Sequence, residues 1–277
     1  MSQVSLDPYQ FPADRLRRRQ AQEGKTPLVL VACGSFSPIT YLHLRMFEMA
    51  SDFIRFNTEF ELMGGYLSPV SDAYKKTGLA PAHHRIQMCT LAAQDTSTWL
   101  ACDPWEAIQK EYVPTANVLD HMDHEINEVI GGVEDVHGNR KPVRIALLAG
   151  ADLIETMGTP GVWSSRDLDH ILRKYGTFII ERSGTDIEEA LACLKQYQEN
   201  IYVIPQLVQN DISSTKVRLF LKRDISVRYL IPEVVIRYIQ EHGLYEEGKR
   251  QEKEQPQEKG KERAGTDEGT QTEPRTG

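Results

Sequence analysis

The chain has 277 residues, room for one large α/β domain or two small ones, with 32 lysine and arginine against 40 aspartate and glutamate residues, a net charge of −8. This acidic balance excludes a protein whose main role is to coat nucleic acid, but it allows a local basic pocket for phosphates. The four cysteines lack metal-ligand spacing, so we expect a reducing compartment and neither a zinc site nor a disulfide framework.

Both ends of the chain are polar. Residues 1–25 carry the basic cluster Arg15–Arg19, and residues 246–277 contain one apolar side chain, Ala264, so we expect both segments to be disordered and the domain to cover residues 26–245. The basic cluster fits either a nuclear-import signal or an exposed polar surface. Apolar runs stay well below the roughly 20 residues of a membrane span. We therefore expect an intracellular protein, in the nucleus, the cytoplasm or both, with no membrane partner.

In the first half of the domain, short apolar runs alternate with helical patterns. Pro27–Cys33 is an almost continuous apolar strand ending at Gly34, and Leu44–Ile54 has the spacing of an amphipathic helix. There follow a strand at Phe60–Leu67, a loop carrying Tyr74, Lys75 and Lys76, a helix at Pro81–Gln94, a short strand at Trp99–Cys102, and a long helical region from Trp105 to about Val129 that is interrupted near Pro114.

The second half continues the alternation. We expect a polar loop at Gly131–Pro142, strands at Val143–Ala149, Phe178–Glu181 and Ile201–Ile204, and helices at about 165–174, 187–197, 213–221 and 232–241. Buried strands alternating with helices predict an α/β fold, a doubly wound parallel sheet with C-terminal helices. Such sheets bind ligands at the carboxyl ends of their strands, which directs attention to the residues that follow Gly34 and Gly150.

The first candidate site follows the first strand and reads Gly34-Ser35-Phe36-Ser37-Pro38-Ile39-Thr40-Tyr41-Leu42-His43. Glycine lets the backbone approach a ligand, and the helix N-terminus after the turn attracts anions. His43 could donate a hydrogen bond to a phosphate oxygen, more strongly if protonated, or simply cap the helix. The segment is neither a G-x-G-x-x-G motif nor a P-loop.

The second candidate site is the run Asn210-Asp211-Ile212-Ser213-Ser214-Thr215-Lys216-Val217-Arg218. A plain helix N-cap needs one hydroxyl, whereas this run supplies three. Lys216 and Arg218 also lie near the helix end whose dipole disfavours cations. A bound polyanion would remove that conflict, so we favour a phosphate site over a simple cap.

Together the two segments resemble the nucleotidyltransferase signatures G-x-F-x-P-x-[TH]-x-x-H and I-S-S-T-x-x-R. The further runs at residues 68–76 (SPVSDAYKK), 150–153 (GADL) and 162–163 (VW) narrow the resemblance to the eukaryotic nicotinamide/nicotinic acid mononucleotide adenylyltransferases. The matching motifs occur in the same order over roughly residues 27–245. The resemblance implies the Rossmann-like nucleotidyltransferase fold.

The resemblance also implies roles at the phosphate end of a dinucleotide site. Gly34, Ser35 and Phe36 would line it with backbone groups, and His43 would contact the ATP phosphates. Lys76 would reach a phosphate of either substrate. Thr215 and Arg218 would bind the triphosphate, and His43, Lys76 and Arg218 are the expected catalytic residues.

At the nucleoside end, the resemblance implies that Gly150 and Asp152 hold the adenosine. Trp163 would stack on the nicotinamide ring or pack beside it, and Arg182 and Asn210 would complete the nucleotide site. Each of these side chains alone has a structural alternative, such as a core tryptophan or a helix-capping aspartate. The other residues that we expect at the site are Tyr74, Lys75, Tyr112, Thr115, Val162, Ser213, Ser214 and Lys216.

Two positions depart from the family pattern. Ser37 stands where relatives usually have asparagine, and Tyr112 falls where they often place a tryptophan against the pyridine ring; tyrosine can still stack there, over less area. Relatives form symmetric assemblies, so the resemblance leaves a homo-oligomer open.

The resemblance implies that the 5′-phosphate of nicotinamide mononucleotide (NMN), and also of nicotinic acid mononucleotide, attacks the α-phosphorus of ATP. The products would be NAD or deamido-NAD and pyrophosphate. Mg²⁺ would be held mainly by substrate phosphates and water, with no dedicated protein metal site. Two alternatives stay open: another acceptor such as phosphopantetheine or a choline-type phosphate, and a nucleotide-binding scaffold without activity.

Overall fold

The computed structural model describes residues 9–159, 161–181 and 191–246. Eight strands lie in this part of the chain: β1 (Thr26–Gly34), β2 (Phe60–Pro69), β3 (Leu100–Cys102), β4 (Val133–Glu134), β5 (Arg140–Lys141), β6 (Arg144–Gly150), β7 (Thr177–Ile180) and β8 (Ile201–Ile204). Six of them form a parallel sheet in the order β3-β2-β1-β6-β7-β8. The strand order reverses direction between β1 and β6, which is where open α/β sheets bind ligands. The predicted doubly wound sheet is confirmed.

Helices cover both faces of the sheet. They are α1 (Tyr41–Asn57), α2 (Ala82–Thr96), α3 (Thr115–Asp123), α4 (Ala151–Gly158), α5 (Ser165–His170), α6 (Ser214–Lys222) and α7 (Glu233–Glu241). π-helical turns at His124–Val129 and Ile171–Tyr175 continue α3 and α5, and a 3₁₀ segment covers Lys195–Asn200. None of the helices described here is long and apolar enough to cross a membrane.

The central position of strand β1 explains why its sequence is almost continuously apolar. Leu28 and Leu30 pack into the core on one face of the sheet, whereas Val29 and Val31 pack into the core on the other. All four side chains are fully buried. A strand buried on both faces needs apolar residues at successive positions, in contrast to the alternation of a half-exposed strand.

The segment after β3 departs from its predicted helix, which forms from Thr115 onward and not from Trp105. The Trp105 ring stacks on His121 with centroids 4.0 Å apart, and the buried Glu106 accepts a hydrogen bond from Ser68 Oγ at 2.6 Å. Residues 105–108 form turns, and residues 109–113 are irregular. The helical prediction was wrong there because periodicity reports local preference and not contacts with distant strands.

The predicted polar loop at Gly131–Pro142 contains a two-stranded antiparallel ribbon, β4–β5. Gly132, with φ +70°, is required where the ribbon joins the domain: a Cβ there would lie 2.1 Å from the Lys141 carbonyl oxygen. The ribbon also contacts the N-terminal segment, because Gln20 N–H donates to the Glu134 carbonyl at 2.8 Å.

The N-terminal segment is more ordered than its polar composition predicts. Residues 9–25 run along the domain, Leu16 and Gln20 are buried, and Arg17 N–H donates to the Met63 carbonyl at 2.9 Å. Leu16 supplies the apolar contact that anchors this otherwise polar stretch. Residues 1–8, residues 247–277 and the first part of the helix expected at 187–197 lie outside the described residues.

Candidate active site at the carboxyl ends of the central strands

A cavity of about 560 Å³ lies at the carboxyl ends of β1, β6 and β7. The beginnings of α1, α4 and α6 also line it, so three helix N-termini contribute backbone N–H groups and positive dipole ends to one space. Thirteen of the residues predicted from the sequence line this cavity: Gly34, Ser35, Phe36, His43, Tyr74, Lys76, Gly150, Asp152, Asn210, Ser213, Ser214, Thr215 and Arg218. The volume is in the usual range for a small-molecule site.

The β1–α1 turn has a constrained backbone. Phe36 has φ +42°, a conformation that side chains with a Cβ rarely adopt, and its ring is buried. A Cβ on Gly34 would lie 3.1 Å from the Phe36 ring, a tight contact that would require the ring to shift, so glycine suits this turn. The turn thereby presents backbone groups of residues 34–36 to the cavity.

His43 is oriented by a capping box at the start of α1. Thr40 N–H donates to His43 Nδ1 at 2.9 Å, and Thr40 Oγ1 accepts a hydrogen bond from the His43 backbone. The Phe36 ring meets the imidazole edge to face at 5.1 Å. Because Nδ1 accepts, the neutral ring carries its proton on Nε2.

Burial lowers the pKa of His43 to about 4. The imidazole is therefore neutral near pH 7, and it carries an N–H at Nε2. The capping alternative is realised through Nδ1, and Nε2 is not used by the cap.

At α6, the three hydroxyls of the Ser-Ser-Thr run have different partners. Ser213 is the N-cap and accepts from Lys216 N–H at 3.2 Å, while Ser214 Oγ donates to the Pro38 carbonyl at 2.8 Å. The Ser214 bond joins the second motif to the first across 176 residues of chain. Thr215 Oγ1 accepts from Arg218 at 3.2 Å.

The Arg218 guanidinium is fixed at the boundary of the two motifs. Its Nη1 donates to the Ser37 carbonyl at 2.7 Å, and its Nη2 donates to Thr215 Oγ1. The loop that carries Lys76 approaches this guanidinium at Gly78, where a Cβ would lie 3.7 Å from Arg218 Nε. Lys76 and Arg218 therefore bring two cationic side chains to the same end of the cavity.

The opposite end of the cavity is formed by β6 and α4. Gly150 caps α4, and Asp152 lies in its first turn with an exposed side chain. Trp163 lines an adjacent, smaller cavity, and its Nε1 donates to Thr156 Oγ1 at 3.0 Å. Because Thr156 lines the main cavity, the two spaces are neighbours.

Several predicted residues do not line the main cavity. The Tyr112 ring stacks on Tyr74 with centroids 6.0 Å apart, which places it behind a lining residue. Lys216 Nζ donates to the Asp211 carbonyl at 3.0 Å. Arg182 lies outside the described residues. The other predicted residues that do not line the main cavity are Lys75, Thr115 and Val162.

Sequence reasoning missed a buried arginine beneath the site. Arg85 is fully buried, and its guanidinium donates to the Ala80 carbonyl at 2.8 Å, to the Ser35 carbonyl at 3.2 Å and to Asp72 Oδ1 at 3.0 Å. It thereby ties the first motif to the loop that carries Lys76. An isolated arginine in a helical pattern gives no sequence signal for such a role. Other lining residues that were not predicted include Leu42, Met46, Thr156, Glu181 and Gln206.

Comparisons with known proteins identify the family and the relatives of the chain. Residues 31–220 match the cytidylyltransferase-like family model. The chain is 57% identical over 244 residues to nicotinamide/nicotinic acid mononucleotide adenylyltransferase 1 of Saccharomyces cerevisiae, covering 87% of this chain and 61% of that protein. It is 40% identical over 240 residues to the Arabidopsis thaliana nicotinamide/nicotinic acid mononucleotide adenylyltransferase, covering 86% of this chain and 98% of that protein.

The match thus spans about three fifths of the budding-yeast relative's length. Among solved structures, Plasmodium falciparum nicotinic acid mononucleotide adenylyltransferase complexed with NaAD superposes with a TM-score of 0.57 at 22% identity. That superposition covers 79% of this chain and 97% of that one. At this identity the likeness concerns the fold.

Proposed function

The chain belongs to the cytidylyltransferase-like family and, within it, to the nicotinamide/nicotinic acid mononucleotide adenylyltransferases, and on this premise we propose that it joins ATP to NMN. It also accepts nicotinic acid mononucleotide, giving NAD or deamido-NAD and pyrophosphate. The observation that carries the proposal is the convergence of His43, Lys76, Arg218 and the α6 N-terminus on one cavity.

In the proposed reaction, an oxygen of the mononucleotide 5′-phosphate forms a bond to the α-phosphorus of ATP. The bond from that phosphorus to the bridging oxygen of the β-phosphate breaks, and pyrophosphate leaves. The attacking phosphate is already ionised, so no general base is required. The chain contributes positioning of the two substrates and stabilisation of negative charge.

The phosphate end of the cavity suits this task. His43 Nε2 supplies a neutral N–H donor, and Arg218 supplies a planar cation held by two hydrogen bonds. Lys76 and the first N–H groups of α6 add further positive charge and donors. These groups stabilise charge that grows on the α-phosphate and on the leaving pyrophosphate.

The pyridine and adenosine moieties are assigned to the remaining walls. Tyr74 on the cavity wall, with Tyr112 stacked behind it, offers aromatic surface for the pyridine ring, and Trp163 offers it in the adjacent cavity. Asp152, in the first turn of α4, offers a carboxylate to ribose hydroxyls. Arg182, which lies outside the described residues, stays a proposed nucleotide ligand.

The carboxylates of the cavity wall fit a phosphate-held Mg²⁺. Asp152 and Glu181 line the cavity and provide the oxygen ligands that Mg²⁺ prefers. Within the part of the chain that the structure describes, no group of three or more His, Cys, Asp or Glu side chains could hold a metal ion on its own. We therefore assign most of its ligands to phosphates and water. When bound, the ion supplies positive charge to the phosphates.

Product analysis tests the proposal. The chain is incubated with Mg²⁺, ATP and either NMN, nicotinic acid mononucleotide or phosphopantetheine, and chromatography detects the dinucleotide and pyrophosphate. We expect NAD and deamido-NAD, and turnover lower by on the order of 10²-fold or more in His43→Ala, because a transition-state donor is lost. Product from phosphopantetheine alone would reassign the acceptor, and near-normal turnover in His43→Ala would remove His43 from the mechanism.

A further inference from the structure

The chain turns back after α7 and brings Tyr245 to the phosphate end of the candidate site. Leu244 N–H donates to the Ile239 carbonyl at 3.0 Å, and Gly243 has φ +58°, the features of a Schellman ending. Tyr245 has φ +66°, which side chains with a Cβ rarely adopt. Its ring packs against the core on the side of the sheet that α1, α2 and α7 cover. A residue held in this conformation is placed by its surroundings and not by local preference.

The Tyr245 hydroxyl reaches a buried serine of the first motif. Tyr245 Oη lies 2.7 Å from Ser37 Oγ across 208 residues of chain, and Ser37 is fully buried. Ser37 Oγ also accepts the Ala80 N–H at 2.9 Å, while the Ser37 carbonyl accepts Arg218 Nη1 at 2.7 Å. One residue thus joins the C-terminal end of the domain, the loop before α2 and the arginine of the second motif.

The loop before α2, residues 71–80, is held on its other side by Arg85. The Arg85 guanidinium donates to the Ala80 carbonyl, so the Ala80 residue is anchored at both its N–H and its C=O. Lys76 lies in the middle of this loop and lines the cavity. A shift of Ser37 would therefore move the anchor of Arg218 and one of the two anchors of the Lys76 loop together.

We propose that Tyr245 is a positioning residue, whose hydroxyl holds Ser37 so that Arg218 and Lys76 stand where the transferred phosphoryl group requires them. This inference deepens the proposed function and rests on it. Tyr245 does not line the cavity, so its effect passes through Ser37. Because a displacement of about 1 Å in such groups can cost on the order of 10²-fold in rate, one distant hydrogen bond is enough to matter.

Burial of the phenol supports this arrangement. It raises the pKa of Tyr245 to about 12, so the hydroxyl keeps its proton throughout the pH range of an enzyme assay. The Tyr245–Ser37 bond therefore persists from acid to mildly alkaline pH. Its contribution to turnover should show no pH dependence between pH 6 and 9.

Tyr245→Phe tests the proposal, with Tyr238→Phe as its matched control. Tyr238 also lies at the C-terminal end of the domain and its hydroxyl also bonds a distant side chain, His84 Nδ1 at 2.9 Å, but neither residue of that pair lines the cavity or bonds a residue of the two motifs. We expect kcat to fall about tenfold in Tyr245→Phe, with KM for ATP and NMN within about threefold of wild type. Tyr238→Phe should keep the wild-type kcat, and both variants should melt at similar temperatures.

Two further measurements separate positioning from simple stability. Amide hydrogen exchange at residues 71–80 should be faster in Tyr245→Phe than in Tyr238→Phe, because Ala80 N–H depends on Ser37. In a double-mutant cycle, Ser37→Ala combined with Tyr245→Phe should lower kcat no further than Ser37→Ala alone. Additive losses, or a kcat of Tyr245→Phe within twofold of wild type, would overturn the proposal.

A failure of the proposed function would look different. If the wild type forms no dinucleotide, the adenylyltransferase assignment fails, whereas the exchange measurement still reports whether Tyr245 holds residues 71–80. Wild-type product formation with equal exchange in both variants would overturn the positioning role alone.

Discussion

His43 should make the folded chain sensitive to acid. Its Nδ1 accepts the Thr40 N–H at 2.9 Å, and burial lowers its pKa to about 4. Protonation at Nδ1 would set an N–H against the Thr40 N–H and break one of the two hydrogen bonds of the capping box. The native state therefore favours the neutral ring, whereas the histidine of the unfolded chain takes up a proton near pH 6.5.

The sign and size of the effect follow from this difference. Between pH 6.5 and 4 the unfolded chain binds a proton that the folded chain does not, so the free energy of unfolding falls as the pH is lowered. Between pH 7 and pH 5, the unfolded chain carries this extra proton over roughly one and a half pH units. Each such unit lowers the free energy of unfolding by about 1.4 kcal/mol. The titration of His43 alone should thus lower the free energy of unfolding by about 2 kcal/mol between pH 7 and pH 5.

Urea unfolding followed by circular dichroism at pH 7 and pH 5 measures this quantity in the wild type and in His43→Asn. Asparagine keeps a side-chain acceptor but does not titrate, so the difference between the two proteins isolates His43 from other groups. His124→Gln replaces an exposed histidine and controls for the loss of a ring. The measured quantity is the difference in free energy of unfolding between the wild type and His43→Asn. A change in this difference of less than about 0.5 kcal/mol between pH 7 and pH 5 would refute the reasoning.

Two further substitutions probe the motifs. Gly34→Ala places a Cβ 3.1 Å from the buried Phe36 ring and should lower the free energy of unfolding by about 1–2 kcal/mol in urea titrations. Gly64→Ala, whose Cβ would make only an ordinary contact at 3.5 Å, is the control and should have a smaller effect. Arg218→Lys keeps the charge but loses the planar fork, so kcat should fall on the order of 10²-fold in steady-state assays while the melting temperature changes little. Arg228→Lys, at an exposed ion pair, should leave kcat unchanged, and an equal loss in both variants would contradict the role of Arg218.

Local sequence information was sufficient where local and tertiary forces agree. The β1 strand is apolar at successive positions because both of its faces are buried, and this pattern alone predicts it. The same kind of reasoning wrongly predicts a helix at residues 105–113, because Trp105 stacks on His121 and Glu106 accepts a hydrogen bond from Ser68. Those partners lie on other elements, and periodicity within a window contains no information about them.

The residues of the candidate site likewise fall into those that local sequence predicts and those that it does not. Gly34 and the Ser213–Arg218 run are visible in sequence because turn chemistry and helix capping place particular residue types at fixed spacings. Arg85 and Tyr245 are not visible, because each matters through a contact that the fold creates: Arg85 with the Ser35 carbonyl 50 residues away, and Tyr245 with Ser37. Residues that hold a site in place have ordinary local sequences, and only the three-dimensional contacts identify them.

The cavity also shows how a chain of net charge −8 can concentrate positive charge at one place. Lys76, Arg218 and three helix N-termini act over a few ångströms, whereas charges elsewhere on the surface are screened within about 10 Å. His43 adds a donor to this group without adding a third positive charge, because burial keeps it neutral. The depressed pKa of His43, which burial alone causes, therefore gives the cavity a donor that carries no charge near pH 7.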